Sequence, residues 1–363
     1  MTKLKVVTIL GVRPQFIKAA AISRAIKEYY NDQIQEIIVH TGQHFDANMS
    51  ESFFVQLNIP KPDYNLEISG GTHGEMTGHM LSSIEKVLLK EKPDWVIVYG
   101  DTNSTMAGSL AASKLHIPIA HIEAGLRSFN KKMPEEVNRV LTDHVSTLLF
   151  CPTDAAIANL DNEGIKEGVI NVGDVMYDVS LYYQKNSDNN VRILNQLNVK
   201  KGEYGLVTCH RQENTDSPER LKNIMMALSE INEKMPVILP LHPRTKKIIK
   251  EQNLETYLEN VIVTEPLSFL DMMALEKNAR VIITDSGGVQ KEAYFCNVPC
   301  VTMRDETEWV ETIEHGYNQL VGADKDKIVK ASFSAKLPTE KKQSPYGDGE
   351  SSKKILNEIL TRQ

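Results

Sequence analysis

A short polar turn follows one of the most apolar stretches of this chain. Residues 285–288, Asp-Ser-Gly-Gly, come directly after the apolar run 281–284 and before a helical pattern that starts at Val289. A strand that ends at such a turn and continues as a helix presents unpaired backbone N–H groups and the positive end of the helix dipole at one point. Phosphate binds at such points, and glycine lets the backbone approach it closely. An ordinary strand-to-helix turn would also explain these residues.

Charged residues stand where three other apolar runs end. The first run ends just before Arg13, and Lys18 follows in the same helical pattern; this turn has neither dinucleotide nor Walker spacing, so it predicts anion binding without a nicotinamide. Asp101 follows the second run, where an Asp most often caps a helix. Glu123 follows the third run and is a candidate general acid or base, with an ion pair to Arg127 or Arg139 as the structural alternative.

Three further segments repeat this pattern. Pro134-Glu135-Glu136 adds two carboxylates before Arg139, although acidic residues also stabilise a first helical turn through the dipole. In the second half, His210-Arg211 and His242-Pro243-Arg244 each follow an apolar run. A single His is usually structural, but two such His-Arg pairs together with the 285–288 turn predict a cradle for a diphosphate and a sugar.

The apolar runs indicate the elements that position these residues. They are rich in Val and Ile and lack polar alternation, which is typical of parallel strands covered on both faces. In the first half we predict strands at 5–10, 36–40, 95–99, 117–122, 147–151 and 169–172, with helices at 14–29, 74–90, 104–114, 135–143 and 155–163. In the second half we predict strands at 204–209, 237–241, 261–264, 281–284, 300–303 and 319–321, with helices at 219–234, 244–252, 269–278 and 289–295.

This pattern predicts an α/β chain of two Rossmann-like, doubly wound parallel-sheet domains with a cleft between them. We place the first domain at 1–172, with a last helix at 350–363 packing back onto it, and the second domain at 173–349, to which the family resemblance described below assigns UDP binding.

Composition excludes several classes of protein. The 363 residues carry a net charge of −7, which offers no electrostatic footprint for nucleic acid or an anionic membrane. The four cysteines lack paired metal spacing and fit buried, reduced thiols. We see no signal-peptide pattern and no apolar run of about 18 residues. The sequence therefore predicts a cytoplasmic protein without a membrane span.

Taken together, these motifs resemble the non-hydrolysing UDP-N-acetylglucosamine 2-epimerases over essentially the whole chain. The matching motifs, in chain order, are Gly11-x-Arg13-Pro14 with Lys18, Gly100-Asp101-Thr102, Glu123-Ala124-Gly125-Leu126-Arg127, Pro134-Glu135-Glu136 with Asn138-Arg139, His210-Arg211 with Glu213-Asn214, Thr284-Asp285-Ser286-Gly287-Gly288 with Gln290 and Glu292, and Pro345-Tyr346-Gly347-Asp348-Gly349. The resemblance implies the architecture of B-type glycosyltransferases, a homodimer, a UDP-sugar substrate, and catalysis without a cofactor or metal.

The reaction implied by the resemblance is reversible inversion at C2 of a UDP-linked 2-acetamido sugar, interconverting UDP-GlcNAc and UDP-ManNAc for surface polysaccharide precursors. UDP leaves in an anti elimination to a 2-acetamidoglucal and then adds back. The implied acid/base candidates are Asp101, Glu123, Glu135 and His210. The implied substrate-binding residues are Arg13, Lys18, Arg139, His242, Ser286, Gly287, Gly288 and Glu292. Relatives that are activated by their own substrate imply a second site at Gln43, His44 and Glu136.

Departures from the family pattern leave the sugar open. Many members have Glu where this chain has Gln15 and Arg where it has Trp309. The segments around residues 13–18 and 41–50 resemble relatives that epimerise UDP-2,3-diacetamido-2,3-dideoxyglucuronate, and a missing carboxylate at position 15 suits a sugar that carries its own. Neutral drift explains Gln15 equally well. The same motifs would also fit a B-type glycosyltransferase, a hydrolysing epimerase or a catalytically silent nucleotide-sugar sensor.

Overall fold

The structure is a computed structural model that describes residues 3–43, 54, 58–186, 192–339 and 344–362. The chain divides into two compact units. The first unit comprises Met1–Tyr182 and Ser344–Gln363, and the second comprises Tyr183–Gln343. The sequence predicts a domain boundary after residue 172, whereas the two units divide between Tyr182 and Tyr183. The helix Val175–Asn186 spans the observed division.

Seven parallel strands form the sheet of the first unit, in the order β3-β2-β1-β4-β5-β6-β7. Their bounds are β1 Leu4–Leu10, β2 Ile34–His40, β3 Tyr64–Asn65, β4 Trp95–Tyr99, β5 Ile119–Ile122, β6 Leu148–Cys151 and β7 Val169–Asn171. The helices described in this unit are α1 Arg13–Ala25, which continues as a π-helical segment Ile26–Tyr30, α2 His73–Glu91, α3 Asn103–Lys114, α4 Pro134–Val145, α5 Asp154–Asn162 and the first part of α6 Val175–Asn186.

Six parallel strands form the sheet of the second unit, in the order β10-β9-β8-β11-β12-β13. Their bounds are β8 Gly205–Thr208, β9 Val237–Pro240, β10 Ile262–Thr264, β11 Val281–Thr284, β12 Cys300–Thr302 and β13 Asn318–Leu320. The helices are α7 Arg192–Gln196, α8 Gln212–Thr215, α9 Pro218–Asn232, α10 Pro243–Glu251, a 3₁₀ turn Glu255–Leu258, α11 Phe269–Asn278, α12 Gly287–Phe295, α13 Val310–Glu314 and α14 Lys325–Ser334.

The predicted fold class is confirmed: each unit is a Rossmann-like parallel sheet with helices on its faces. Every residue of β4, β5, β6, β8 and β11 is buried, as continuous apolar runs require. In both sheets the strand order reverses beside the first strand, between β1 and β4 and between β8 and β11. Ligands of such sheets bind beyond the carboxyl ends of the strands at this switch point.

The last helix, α15 Ser351–Thr361, belongs to the first unit. Asp178 accepts hydrogen bonds from the backbone N–H groups of Ser351 at 3.1 Å and Ser352 at 2.8 Å, and thereby holds the start of the helix. Ile355 and Ile359 bury its apolar face completely. Across the described residues, no helix combines the length and apolarity that crossing a membrane requires.

Candidate functional site

In the first unit, the turns after β1 and β4 are joined by the side chain of Gln15. Its Oε1 accepts hydrogen bonds from the N–H groups of Gly11 at 2.7 Å and Val12 at 3.2 Å. Its Nε2 lies 2.8 Å from the carbonyl oxygen of Tyr99 and 2.9 Å from Oγ1 of Thr105. Gln15 is only 2% exposed. The amide therefore braces two backbone turns, and this bracing accounts for Gln15 without a carboxylate on the sugar.

Asp101 lies directly beyond β4 and does not cap the following helix. Thr102 is the N-cap of α3, and its hydroxyl accepts from the N–H of Thr105 at 3.2 Å. The Asp101 carboxylate instead forms an ion pair with Nη2 of Arg139, a residue of α4. One third of the Asp101 side chain remains exposed. The structure thus leaves a partly accessible carboxylate beside a cation, which is compatible with proton transfer.

Glu123 lies directly beyond β5 and pairs with the ammonium group of Lys18 from α1. Its φ of 72° lies in the left-handed region, which costs a non-glycine residue on the order of 1–3 kcal/mol and is common at functional sites. Gly100, with a φ of 61°, approaches closely, since a β-carbon there would lie 3.4 Å from Oε2 of Glu123. The partner shown for Glu123 is thus Lys18, a residue that the sequence did not single out for this pairing.

The Pro-Glu-Glu turn separates its two carboxylates. Glu135 is exposed in the first turn of α4. Glu136 is 3% exposed, and its carboxylate accepts from Ser128 N at 2.8 Å and Phe129 N at 2.9 Å and lies 3.3 Å from Nη1 of Arg139. Glu136 therefore stabilises the loop before α4, and an activator contact by this residue stays a prediction.

The segment predicted to bind an activator is described only in part. Oε1 of Gln43 accepts from the N–H of Ser104 at 3.0 Å and from its hydroxyl at 2.7 Å, at the start of α3. His44 lies outside the described residues. Gln43 is thus fixed beside the same strand ends as Asp101.

A buried charged network behind these residues was missed by sequence reasoning. His121 and Asp143 are fully buried with 2.7 Å between Nδ1 and Oδ1, and Asp143 Oδ2 lies 2.7 Å from Nη1 of Arg127. Arg127 continues to Glu163 through two hydrogen bonds of 2.7 Å. The sequence signal for this network is His121, the one polar residue in the otherwise apolar strand Ile119–Ile122.

In the second unit, Asp285 organises the loop after β8. It is fully buried, and its carboxylate accepts from the N–H groups of His210 at 3.0 Å and Arg211 at 3.1 Å and from Nδ2 of Asn214 at 3.2 Å. The His210 side chain is about half exposed, and its Nδ1 lies 3.6 Å from the carboxylate. Asp285 therefore fixes backbone, while the His210 imidazole stays accessible.

The predicted phosphate turn forms the start of α12. Ser286 is the N-cap without a side-chain cap bond, and Gly288 is exposed in the first turn of the helix. A β-carbon at position 287 would collide with the carboxylate of Glu308. Two cations flank Glu308, with 2.9 Å to Arg304 Nη1 and 3.7 Å to Arg211 Nη2.

Other predicted residues of this unit have defined partners. His242 is the N-cap of α10, and its Nδ1 accepts from the N–H of Arg244 at 3.3 Å. Glu292 neighbours Glu276, a fully buried carboxyl whose pKa is raised well above its usual range by burial and by the Glu292 charge. Trp309, the residue that departs from the family pattern, is buried with the Lys291 ammonium 3.8 Å from its ring centre.

Each unit thus gathers its own predicted residues at its own switch point. In the first unit these are Arg13 and Lys18 after β1, Asp101 after β4, and Glu123 after β5. In the second they follow the equivalent strands, with His210 after β8, His242 after β9 and Ser286 to Gly288 after β11. The chemical roles of these residues stay predictions.

Comparison with known proteins adds independent findings. A family model described as UDP-N-acetylglucosamine 2-epimerase matches residues 27–360. A UDP-N-acetylglucosamine 2-epimerase homolog of Methanococcus maripaludis is 54% identical over 98% of this chain and 99% of its own. A UDP-2,3-diacetamido-2,3-dideoxy-D-glucuronate 2-epimerase of Pseudomonas aeruginosa is also 54% identical, over 97% of this chain and 98% of its own.

A solved structure agrees with these relatives. The crystal structure of Methanocaldococcus jannaschii UDP-GlcNAc 2-epimerase in complex with UDP-GlcNAc and UDP is similar with a TM-score of 0.88. The sequence identity is 48%, and the similarity covers 100% of both chains.

Proposed function

This chain belongs to the UDP-N-acetylglucosamine 2-epimerase family, and we propose that it interconverts UDP-N-acetylglucosamine and UDP-N-acetylmannosamine. Family membership makes it an isomerase and confirms both the predicted family and the predicted enzyme class. The sugar and the roles of individual residues are proposed from the geometry of each unit.

The observation that carries the proposal is the pair of ion-paired carboxylates in the first unit. Asp101 and Glu123 follow the adjacent strands β4 and β5, and each has its own cation, Arg139 and Lys18 respectively. Inversion at C2 requires one group that removes a proton and one that returns a proton on the opposite face. We propose that these two ion-paired carboxylates at neighbouring strand ends supply both groups.

In the proposed reaction a base takes the C2 proton, and the C–H electron pair becomes the C1–C2 double bond. The C1–O bond breaks, and UDP leaves with that electron pair, so a 2-acetamidoglucal remains. UDP then adds back at C1 while the acid delivers a proton to the opposite face of C2. Since C2–H is weakly acidic, stabilising the departing diphosphate contributes as much as the base does.

The second unit is suited to hold the UDP moiety. The N-terminal N–H groups of α12 provide an anion site at Gly287 and Gly288. His210 and His242 lie at neighbouring strand ends, and Glu292 follows within the same helix, where its carboxylate can accept from ribose hydroxyls. We propose that these groups retain UDP while the glycal exists.

UDP-2,3-diacetamido-2,3-dideoxyglucuronate is the second candidate substrate, favoured by the Pseudomonas aeruginosa relative. The reacting C2 position and the leaving group are the same for both sugars. The two candidates therefore differ only in recognition of C3 and C6, not in the residues that move protons.

The decisive experiment is incubation with each UDP-sugar separately in deuterated water. Deuterium at C2 of a UDP-linked epimer is the expected result, and the sugar that exchanges faster identifies the substrate. Free sugar plus UDP would indicate hydrolysis, and transfer to an added acceptor would indicate a glycosyltransferase. Absence of exchange with both sugars would refute the epimerase proposal for this chain.

Two further properties implied by the family resemblance are proposed with their tests. Activation by substrate predicts a lag in the reverse reaction that added UDP-N-acetylglucosamine removes; hyperbolic kinetics without a lag would contradict it. A homodimer predicts twice the chain mass in sedimentation at micromolar concentration, and a persistent monomer would contradict it.

A further inference from the structure

His121 lies two residues before Glu123 and is completely buried. Its Nδ1 is 2.7 Å from Oδ1 of Asp143, and its Nε2 is 2.8 Å from the carbonyl oxygen of Gly100. A carbonyl oxygen can only accept a hydrogen bond, so Nε2 carries a proton and donates it to Gly100.

The other ring nitrogen also faces an acceptor. Oδ2 of Asp143 accepts from Nη1 of Arg127 at 2.7 Å and from Gly125 N at 3.1 Å. Burial acts to raise the pKa of Asp143, but the charges and hydrogen bonds of His121 and Arg127 outweigh burial, and the pKa is lowered. Oδ2 of Asp143 faces two N–H donors, from Arg127 and Gly125, which is the environment of an ionised carboxylate; Oδ1 then accepts, and Nδ1 of His121 donates.

The resulting imidazolium belongs to a balanced set of charges. His121 and Arg127 supply two cations, and Asp143 and Glu163 supply two anions. His144, whose Nε2 lies 3.6 Å from Glu163, is half exposed and ends the chain of contacts. Buried charges persist only when they are paired and hydrogen-bonded, and each buried member here meets that condition.

Asp143 holds the chain on both sides of Glu123. One carboxylate oxygen binds His121, two residues before Glu123, and the other binds the N–H of Gly125, two residues after it. Between these anchors Glu123 has its positive φ of 72°. A strained residue keeps such a conformation only when the surrounding structure enforces it; the Phe150 carbonyl binds the N–H of Glu123 at 3.1 Å, and Asp143 holds the residues on either side.

His121 also holds the turn after β4, which contains Gly100 and Asp101. Its Nε2 proton binds the carbonyl of Gly100, the residue directly before Asp101. The N–H of Gly100 donates to Ile122 O at 3.0 Å, so both polar groups of the Gly100 backbone are held by β5 and its end.

We propose that His121 and Asp143 are positioning residues that fix the Asp101 and Glu123 carboxylates relative to each other. This inference rests on the proposed function, which assigns proton transfer at C2 to those two carboxylates. Neither positioning residue needs to touch the substrate. Their contribution is orientation, and errors of about 1 Å in such geometry cost on the order of 100-fold in rate.

The first test measures the protonation of His121 and needs no activity. In ¹⁵N-histidine-labelled protein, both ring nitrogens of His121 should carry a proton, as the two acceptors that they face require. The Asp143→Asn variant, whose amide can donate to the ring, should convert that signal to one protonated and one bare nitrogen. A single ring proton on His121 in the unaltered protein would overturn the charged arrangement.

The second test separates positioning from stability. Asp143→Asn should lower kcat about tenfold to 100-fold with the KM for the UDP-sugar changed by less than about twofold. Asp178→Asn is the matched control, because Asp178 is also a largely buried carboxylate of this unit that accepts backbone N–H bonds, at α15. The control should leave kcat within about twofold, whatever its effect on the thermal midpoint.

A kcat for Asp143→Asn that matches the control would overturn the positioning role, as would a loss confined to KM. His121→Phe keeps the ring volume but removes both donated hydrogen bonds, and its kcat should fall further than that of Asp143→Asn. If the unaltered protein shows no exchange at C2, the proposed function fails, while the ring protonation of His121 is still measured independently.

Discussion

The two units place different chemistry at equivalent points of the same sheet. Beyond β1 and β4 the first unit presents charged side chains in pairs, Lys18 with Glu123 and Arg139 with Asp101. Beyond β8 and β11 the second unit presents the N–H groups of a helix start, and its buried carboxylate, Asp285, is occupied in holding the His210 loop.

This difference follows from what each ligand group requires. The diphosphate gains one negative charge when the C1–O bond breaks and loses it when UDP adds back, so backbone N–H donors fixed at that position stabilise it as it leaves. A carbon-bound proton must move to a group that changes its own charge, and only side chains can do so. The same strand-order reversal therefore serves anion binding in one unit and proton transfer in the other, and the residues that follow the strands determine which.

The largest expected effect comes from removing the charges of the first unit. Asp101→Asn and Glu123→Gln should each slow epimerisation by at least about 100-fold, the usual contribution of a general acid or base. The measurement is kcat together with deuterium incorporation at C2. Glu75→Gln, which alters an exposed carboxylate in the α2 capping box, is the control and should retain activity. Near-normal turnover in either variant would remove that residue from the catalytic set.

A smaller effect is expected from crowding the anion site of the second unit. Gly287→Ala places a β-carbon against Glu308 and should weaken UDP binding by about tenfold, the cost of displacing one well-aligned donor set. Isothermal titration with UDP measures it. Gly74→Ala in α2 is the matched control, because a β-carbon there meets no atom within 4 Å. Equal UDP affinity for both variants would argue against the α12 start as the phosphate site.

The third prediction concerns stability in the first unit. Gln15→Glu replaces the donating amide with a group that repels the Tyr99 carbonyl, and the free energy of unfolding should fall by about 2 kcal/mol. Denaturant unfolding measures the loss, and the exposed Gln35→Glu serves as control. Since Gln15 contacts backbone, the ratio of rates for the two UDP-sugars should not change; a changed ratio would restore position 15 as a determinant of sugar choice.

The smallest expected effect contrasts the buried carboxyls Asp143 and Glu276 as pH falls. The lowered pKa of Asp143 stabilises the fold above its unfolded pKa of about 4, and this contribution is lost as pH drops through the folded value. The raised pKa of Glu276 has the opposite sign, since its neutral form is favoured in the fold and acid removes a penalty.

Hydrogen exchange read peptide by peptide checks this contrast. Between about pH 6 and about pH 3, protection relative to the intrinsic exchange rate at each pH should fall around Gly125 and α4, while protection in α11 should rise or stay constant. A parallel loss of protection in both places would show that global unfolding dominates both carboxyls.

Strand positions were largely predictable because buried parallel strands are short runs of Val and Ile. Residues 95–99 and 281–284 agree with the observed β4 and β11. Helix α6 was missed, since aromatic and polar residues in Val175–Asn186 give it only weak amphipathic periodicity. Without this helix, the sequence pattern places the domain boundary at the end of the preceding strand, after residue 172.

The candidate site was predictable as a set of strand ends but not as a set of partners. Sequence left open whether Asp101 caps α3, and only the structure shows the Thr102 hydroxyl in that role. Sequence also suggested Arg127 or Arg139 as partners of Glu123, and it did not suggest the ion pair with Lys18 that the structure shows. Pairings between residues as distant in sequence as 18 and 123 depend on how α1 packs, which local patterns do not contain.

The return of the chain to its first unit has a consequence for synthesis on the ribosome. Helix α15 belongs to that unit, yet it is synthesised after the whole of the second unit. Until Ser351–Thr361 emerges, the surface that Ile355 and Ile359 cover stays open, and Asp178 lacks the N–H groups that it binds. The second unit can therefore fold before the first, which reverses the usual N-terminal-first order of domain folding. A chain truncated before residue 351 should be released with exposed apolar surface on its first unit.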